Sequence, residues 1–451
     1  MLPKFSVRFL GLLACLLMLL YLSNCSGTSS SPNSGSSGGS GGGSTAGSGG
    51  SGSGSGSSGS GGSSGSGGSG GSGSGSSGSG GSGSGGGSGS SGGSGSGGSV
   101  SPATDKDLHT QIVATHLETP WSMVFAPDGR LFFTEQPGRL RVITSSGLVS
   151  TPVLDLTSVT VGGEGGTTGM DLDPDFATNG YVYLHFCLKD TTTHCRVDRV
   201  IVDANNVGTI DKVLLDYPVT SGHFDHTGGR LRVSPDHYLY LSIGDHTNAA
   251  SAQDPSSWDG KIIRMNLDGT AASGNPFPSQ NAYVYSYGHR DPQGLAWDSS
   301  GQLYETEHGP TSNDEVNIIY IGKNYGWPNC VGICHNPAYV DPIKLFYPQT
   351  APPSGATFYQ GSVIPGWDGS FLFAVLGLDG NTYAHHVHQL KFDKPGGTTI
   401  TFEQILWQNQ FGRIRDVVEA SDGSLYFSTS DIPSQSANPA PDDDRIIRAF
   451  S

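Results

Sequence analysis

Helical periodicity is almost absent from this 451-residue chain, and so is any apolar run long enough to cross a membrane. Charged residues are sparse at 14%, and the charge that exists is lopsided: 23 Lys+Arg stand against 39 Asp+Glu. The first 100 residues hold no acid and only Lys4 and Arg8, so the remainder carries a formal −18. That balance argues against a nucleic-acid partner and suits a cation-binding, extracytoplasmic protein. Cysteine is scarce too. Beyond residue 100 there are four, in the local pairs Cys187/Cys195 and Cys330/Cys334. Outside the cell such spacings suggest two short-loop disulfides, with a four-cysteine zinc site as the competing reading.

The N-terminus reads as an address. Lys4 and Arg8 precede an apolar run, Phe9–Leu22, in the order of a secretory signal. The run ends in Leu22-Ser23-Asn24-Cys25, which resembles a lipobox whose cysteine becomes the lipidated first residue; plain cleavage nearby is the alternative. From Ser26 to Ser99 the chain is nearly all Gly and Ser, which cannot bury enough apolar surface to offset its ordering entropy. A coil of that length spans on the order of 50 Å. The expected organisation is therefore a signal or lipoprotein peptide (1–25), a disordered Gly/Ser linker (26–104) and one domain (105–451). Its expected place is secreted or at the cell surface, with Cys25 as the only membrane anchor.

Within the domain, strand-turn-strand units recur: VFAPDGRLFFTE, MDLDPDFATNGYVYLHF, LRVSPDHYLYLSIGD, LAWDSSGQLYETE, GWDGSFLFAV and VVEASDGSLYFSTSD. Each pairs an Asp/Gly-rich turn with alternating aromatic and aliphatic residues. Six units at a period of roughly 58 residues predict an all-β six-bladed propeller, with a pair of β-sandwiches as the alternative. A propeller gathers loops distant in sequence around one channel mouth.

Four loop clusters carry chemistry. Asp225-His226 precedes Gly228-Gly229-Arg230, and a histidine beside a carboxylate can act as a general base or simply cap a hairpin. Arg290 stands before a Pro-fixed turn in YGHRDPQ, where its fork could take a carboxylate. Glu307–Pro328 combines a Gly-Pro turn, Asp314-Glu315 and NYGWP, offering carboxylate and carbonyl oxygens for calcium or only a solvated acidic loop. In GRIRDV, Arg413 and Arg415 lie on one side of a strand, an arrangement for a polyanionic ligand or a surface pair.

PWSMVFAPDGRLFFTEQPGRLRVI, GEGGTTGMDLDPDF, HTGGRLRVSPD, YGHRDPQGLAW, EHGPTSNDEVNII, NYGWP, APPSGATFY and GRIRDV follow in that order. Together they resemble the glucose/sorbosone dehydrogenase family of soluble quinoproteins, most closely its aldose sugar dehydrogenase branch. The resemblance implies a six-bladed propeller that binds pyrroloquinoline quinone (PQQ) and calcium and oxidises aldoses at the anomeric carbon to lactones, passing electrons to an external acceptor. It implies His226 as the base, with Asp225 as its orienting partner. It implies Glu164, Arg290, Asp291, Arg413 and Arg415 around the quinone. The Gly309 and Pro310 carbonyls would hold its calcium, and Glu315 with the Tyr325 carbonyl a second one. Three departures stand out: Asp291 where the family usually has Asn, Thr167-Thr168 for a usual Leu-Leu, and no lysine in Phe371–Gly380. A non-catalytic extracellular carbohydrate- or protein-binding propeller and a calcium-dependent lactonase are the rival readings.

Overall fold

The computed structural model describes residues 101–377, 383–431 and 441–451. The signal and lipobox expectations and the linker up to residue 100 lie outside those residues, as does the end of the lysine-free stretch. Among the described residues, no helix is long and apolar enough to cross a membrane.

Six antiparallel sheets account for nearly all the secondary structure among the described residues. Strands β2 (Pro120–Phe125), β3 (Leu131–Glu135), β4 (Arg139–Thr144) and β5 (Gly147–Leu148) form the first, with β6 (Leu154–Asp155) also on β4. The second runs β7 (Thr167–Leu172), β8 (Tyr181–Lys189), β9 (Thr193–Val202), β10 (Gly208–Pro218). The third is β11 (Gly228–Val233), β12 (Tyr238–Ile243), β13 (Lys261–Asn266), β14 (Val284–Tyr287). The fourth is β15 (Pro292–Trp297), β16 (Leu303–Glu307), β17 (Asp314–Ile319), β18 (Lys344–Phe346). The fifth is β19 (Pro353–Tyr359), β20 (Ser370–Val375), β21 (His386–Phe392), β22 (Ile400–Leu406).

The sixth breaks sequence order. β23 (Ile414–Glu419), β24 (Leu425–Thr429) and β25 (Ile446–Phe450) are completed by β1 (His109–Ala114), paired from His109 with Phe450 to Ala114 with Ile446. The first strands β2, β7, β11, β15, β19 and β23 each touch the next, and β23 returns to β2. This closed ring is the six-bladed propeller, and closure leaves only short outer edges open to solvent.

The sheets bury apolar side chains between blades. Trp367 and Trp407 meet edge to face in the core between blades five and six, and the Trp367 indole donates to Ala103 O at 2.8 Å. Ala103, on the linker side of the expected boundary, is itself buried. Trp367→Ala should cost about 3–5 kcal/mol through lost burial and the cavity left behind, read as a shift of the denaturant midpoint. The cysteines form two disulfides, Cys187–Cys195 across β8 and β9 and Cys330–Cys334 within a loop of blade four. The zinc reading of these four residues is thereby set aside.

All six inner strands break register near their first residues: β2, β7, β11, β15, β19 and β23. Bulges at a sheet rim re-aim side chains and release backbone for other partners. Six at the same end make one channel mouth an irregular rim. At the far ends, Met123, Leu172, Val233, Leu295, Ala356 and Val418 help line a cavity of about 600 Å³.

Candidate functional site

The expected site residues sit on the bulged rim. Glu164 precedes β7, His226 precedes β11, Arg290 and Asp291 precede β15, Arg413 precedes β23 and Arg415 is its second residue. His226 adopts φ 53°, and Gly244 makes room for it, because a Cβ there would stand 2.0 Å from the His226 carbonyl oxygen. His226 is half-buried, with its ring spanning two partners. Its Nδ1 lies 2.7 Å from Asp245 Oδ1 and its Nε2 2.8 Å from Arg290 Nη2.

Arginine only donates, so His226 Nε2 must accept, and the single proton of the neutral ring sits on Nδ1 facing Asp245. That is the tautomer of a base with its lone pair at the mouth. The pKa of His226 stands above the ordinary imidazole value. Burial opposes the charged ring most strongly, but the Asp245 hydrogen bond and the nearby charge of Asp291 outweigh it.

The carboxylate on His226 is therefore that of Asp245 and not that of Asp225. Asp225 is exposed and packs towards Gly163, where a Cβ would meet its Oδ1 at 2.4 Å. A chain neighbour of a positive-φ residue is turned away from the ring, whereas Asp245, just past β12, comes alongside through hairpin pairing. Asp245 accepts two further hydrogen bonds from its surroundings. The Thr247 N–H donates to Oδ1 at 2.7 Å, the Trp327 indole to Oδ2 at 2.7 Å, and Trp327 also lies under the Arg290 guanidinium. Sequence reasoning missed Asp245, although the strand unit ending in SIGD put an acid at the rim.

Glu164 Oε2 accepts the Thr227 N–H at 3.1 Å, while Asp291 Oδ1 accepts the Gly228 N–H at 3.1 Å and the Gln293 amide at 2.9 Å. Both acids thus pin the loop that carries His226. Burial first, and then Asp291's charge, push the Glu164 carboxyl up to about 7. Asp291 is itself fully buried, yet contact with His308 and the charges of His226 and Arg290 hold it well below the usual carboxylate range. Its charge is absorbed by protein neighbours, which explains how an acid is accommodated there.

Arg415 lies within electrostatic reach of Glu164 and Asp291, and burial and then Arg413 lower its pKa to about 10. Arg413 donates from Nε to Gly377 O and from Nη1 to Ser430 O, both at 3.1 Å. Arg290 Nε and Arg415 Nε are buried with no hydrogen-bond partner. Orphaned guanidinium donors on one rim fit a carboxylate-bearing ligand.

The two expected calcium sets meet in one place. Gly309, Pro310, Glu315 and Tyr325 line a single small cavity of about 20 Å³ together with Arg290 and Glu307. Behind it, Glu305 and Glu307 on β16 face Asn317 and Glu315 on β17. Burial and like charge raise Glu315 to about 8 and Glu305 well above its ordinary value. Glu305 Oε1 and Asn317 Oδ1 are buried without partners. An oxygen-only donor set with crowded carboxylates fits a hard cation.

The glucose/sorbosone dehydrogenase family profile matches residues 117–436. The chain is similar to the aldose sugar dehydrogenase YliI of Escherichia coli, 29% identical over 73% of this chain and 91% of that protein. It is also similar to quinoprotein glucose dehydrogenase B of Acinetobacter calcoaceticus, 31% identical over 52% of this chain and 56% of the relative. Among solved structures, the PQQ-bound aldose sugar dehydrogenase of Streptomyces coelicolor superposes with a TM-score of 0.67. It is 29% identical and covers 78% of this chain and 99% of its own.

Proposed function

Because the chain belongs to the glucose/sorbosone dehydrogenase family, a family of quinone-dependent sugar oxidoreductases, we propose that it oxidises aldoses at the anomeric carbon to lactones. PQQ and calcium are its cofactors, and His226 is its base. The observation that carries this reading is the placement of the His226 ring, with Nδ1 on Asp245 and Nε2 facing Arg290 as an acceptor. Arg290, Arg413 and Arg415 would hold the quinone's oxygens and carboxylates, with Glu164 and Asp291 beside it. The Gly309 and Pro310 carbonyls would hold its calcium, and Glu315 with the Tyr325 carbonyl a second ion. The quinone and its calcium would supply, when bound, the acceptor for the hydride of the anomeric C–H and the link to an external electron acceptor.

The protein's part is proton handling and orientation. The anomeric hydroxyl replaces Arg290 as the donor to His226 Nε2 and gives up its proton there as the C–H bond breaks. Asp245 stabilises the imidazolium that results, and Trp327 fixes Asp245. The half-buried ring limits the access of bulk water to this transfer.

Asp245→Asn should lower turnover and shift the acid limb of the pH–rate profile downwards. The base works unprotonated, so activity falls as pH drops through the His226 pKa, which Asp245 raises. An amide has one acceptor oxygen, but His226, Thr247 and Trp327 all donate here. An acid limb at unchanged pH would remove Asp245 from this role.

The deciding experiment is reconstitution of the apo-protein with calcium and PQQ, followed by a panel of aldoses and an electron-accepting dye. Dye reduction that requires both additions is expected. No reduction, with no quinone binding by absorbance titration, would overturn the proposal. The same extracytoplasmic setting proposed for the chain would supply its sugar and its acceptor directly.

A further inference from the structure

Three side chains at the rim form a cluster that the quinone reading does not use as a unit. One ligand atom each from Glu164, Asp291 and His308 lies within 4.8 Å of the other two. Each carboxylate spends one oxygen on the His226 loop, Glu164 Oε2 on the Thr227 N–H and Asp291 Oδ1 on the Gly228 N–H. That leaves the other oxygen of each. Asp291 Oδ2 is buried and accepts no hydrogen bond, and His308 Nε2 is buried without a partner.

His308 Nδ1 stands 3.1 Å from Asp291 Oδ2 as an ion pair, although the ring is not aligned for a hydrogen bond to that oxygen. Two ligands of one tetrahedral ion with bonds of about 2.0–2.2 Å stand roughly 3.3–3.6 Å apart. The two atoms would part by a few tenths of an ångström to admit an ion, which would replace this ion pair.

We propose that Glu164, Asp291 and His308 form a binding site for a divalent transition-metal ion of the zinc class, distinct from the oxygen-only calcium cavity. One imidazole nitrogen with two carboxylate oxygens suits zinc, cobalt(II), manganese or iron(II), whereas calcium takes oxygen ligands. Arg415 and His226 also bear on the two acids, but neither supplies a ligand pair with Asp291 Oδ2. Three protein ligands leave a coordination position open at the channel mouth for water or a sugar hydroxyl. The ion would also tie the loop ahead of β7 to the loops flanking β15 and β16, on either side of the His226 loop.

The test uses full-length protein stripped with a chelator, with no quinone added, so its result is independent of the cofactor reading. Cobalt(II) is titrated while the visible absorption is followed, and zinc is then added in competition. One equivalent of cobalt with bands of a four- or five-coordinate N/O site, displaced by zinc, is expected. The isosteric double change Glu164→Gln/Asp291→Asn should weaken cobalt binding at least about 100-fold, and His308→Gln should independently remove the nitrogen-dependent bands. Calcium affinity, read by calorimetry, should be unchanged in each variant that melts as the parent does. Absence of cobalt bands in the parent, or equal binding by the variants, would overturn the proposal. Equal binding would place the ion elsewhere, for example at His289, Glu305 and Glu307.

Discussion

His226→Ala should lower kcat about 10²–10⁴-fold, the usual contribution of a positioned base, while leaving quinone binding close to that of the parent. The division follows from the geometry. The ring's two polar contacts are to Asp245 and Arg290, and Arg290 keeps further attachments to His308 O at 3.2 Å and to the Trp327 face. Losing the ring removes the proton acceptor without dismantling the arginine rim. Single-turnover reduction of the bound cofactor by sugar, followed optically, separates the two effects. A parallel loss of quinone affinity would show that His226 builds the pocket, and its assignment as base would fall.

The converse holds for the arginine pair. Arg413→Ala with Arg415→Ala should weaken quinone affinity by roughly 10²–10⁴-fold, since each charge-assisted hydrogen bond contributes about 1.5–3 kcal/mol. Arg415 is the more exclusive contributor, with a buried Nε that has no protein partner. Arg413 also fastens Gly377 and Ser430, so its loss should loosen blades five and six at the rim as well. Absorbance titration of the apo-protein gives the affinity, and a thermal melt reports the loosening. Unchanged affinity in the double variant would remove both from the cofactor site.

Much of the fold is legible because a hairpin is a local object. The alternation in LRVSPDHYLYLSI states its own pairing, and five of the six recurring units contain the first two strands of a blade. GWDGSFLFAV covers only β20, because the inner strand β19 carries Pro353 and Gly355 and lacks the alternating signal. Gly355 is there for a reason that sequence cannot display. A Cβ at that position would lie 1.7 Å from Asp416 Oδ1, in the next blade.

The site divides the same way. His226, Arg290, Arg413 and Arg415 stand in distinctive motifs, whereas Asp245 does not. Asp225 is the carboxylate adjacent to His226 in sequence, but a bulge and a positive φ at His226 turn it aside. His308 was visible only as part of EHGP. Its nearness to Asp291 depends on the β15–β16 pairing, where Pro292 stands opposite Glu307.

The pairing of β1 with β25 sets a condition on how this molecule comes into being. His109–Ala114 is the earliest strand of the ring to be synthesised, yet its hydrogen-bonding partner, Ile446–Phe450, is among the last. The first five blades can form in order as the chain emerges, but the sixth must wait, and β1 waits with it as an unpaired edge. So long a loop makes closure a slow step. A chain cut short by a handful of C-terminal residues would therefore lose more than an edge strand. It would leave the ring ajar beside Arg413 and Arg415, on the blade that the proposed cofactor relies on most.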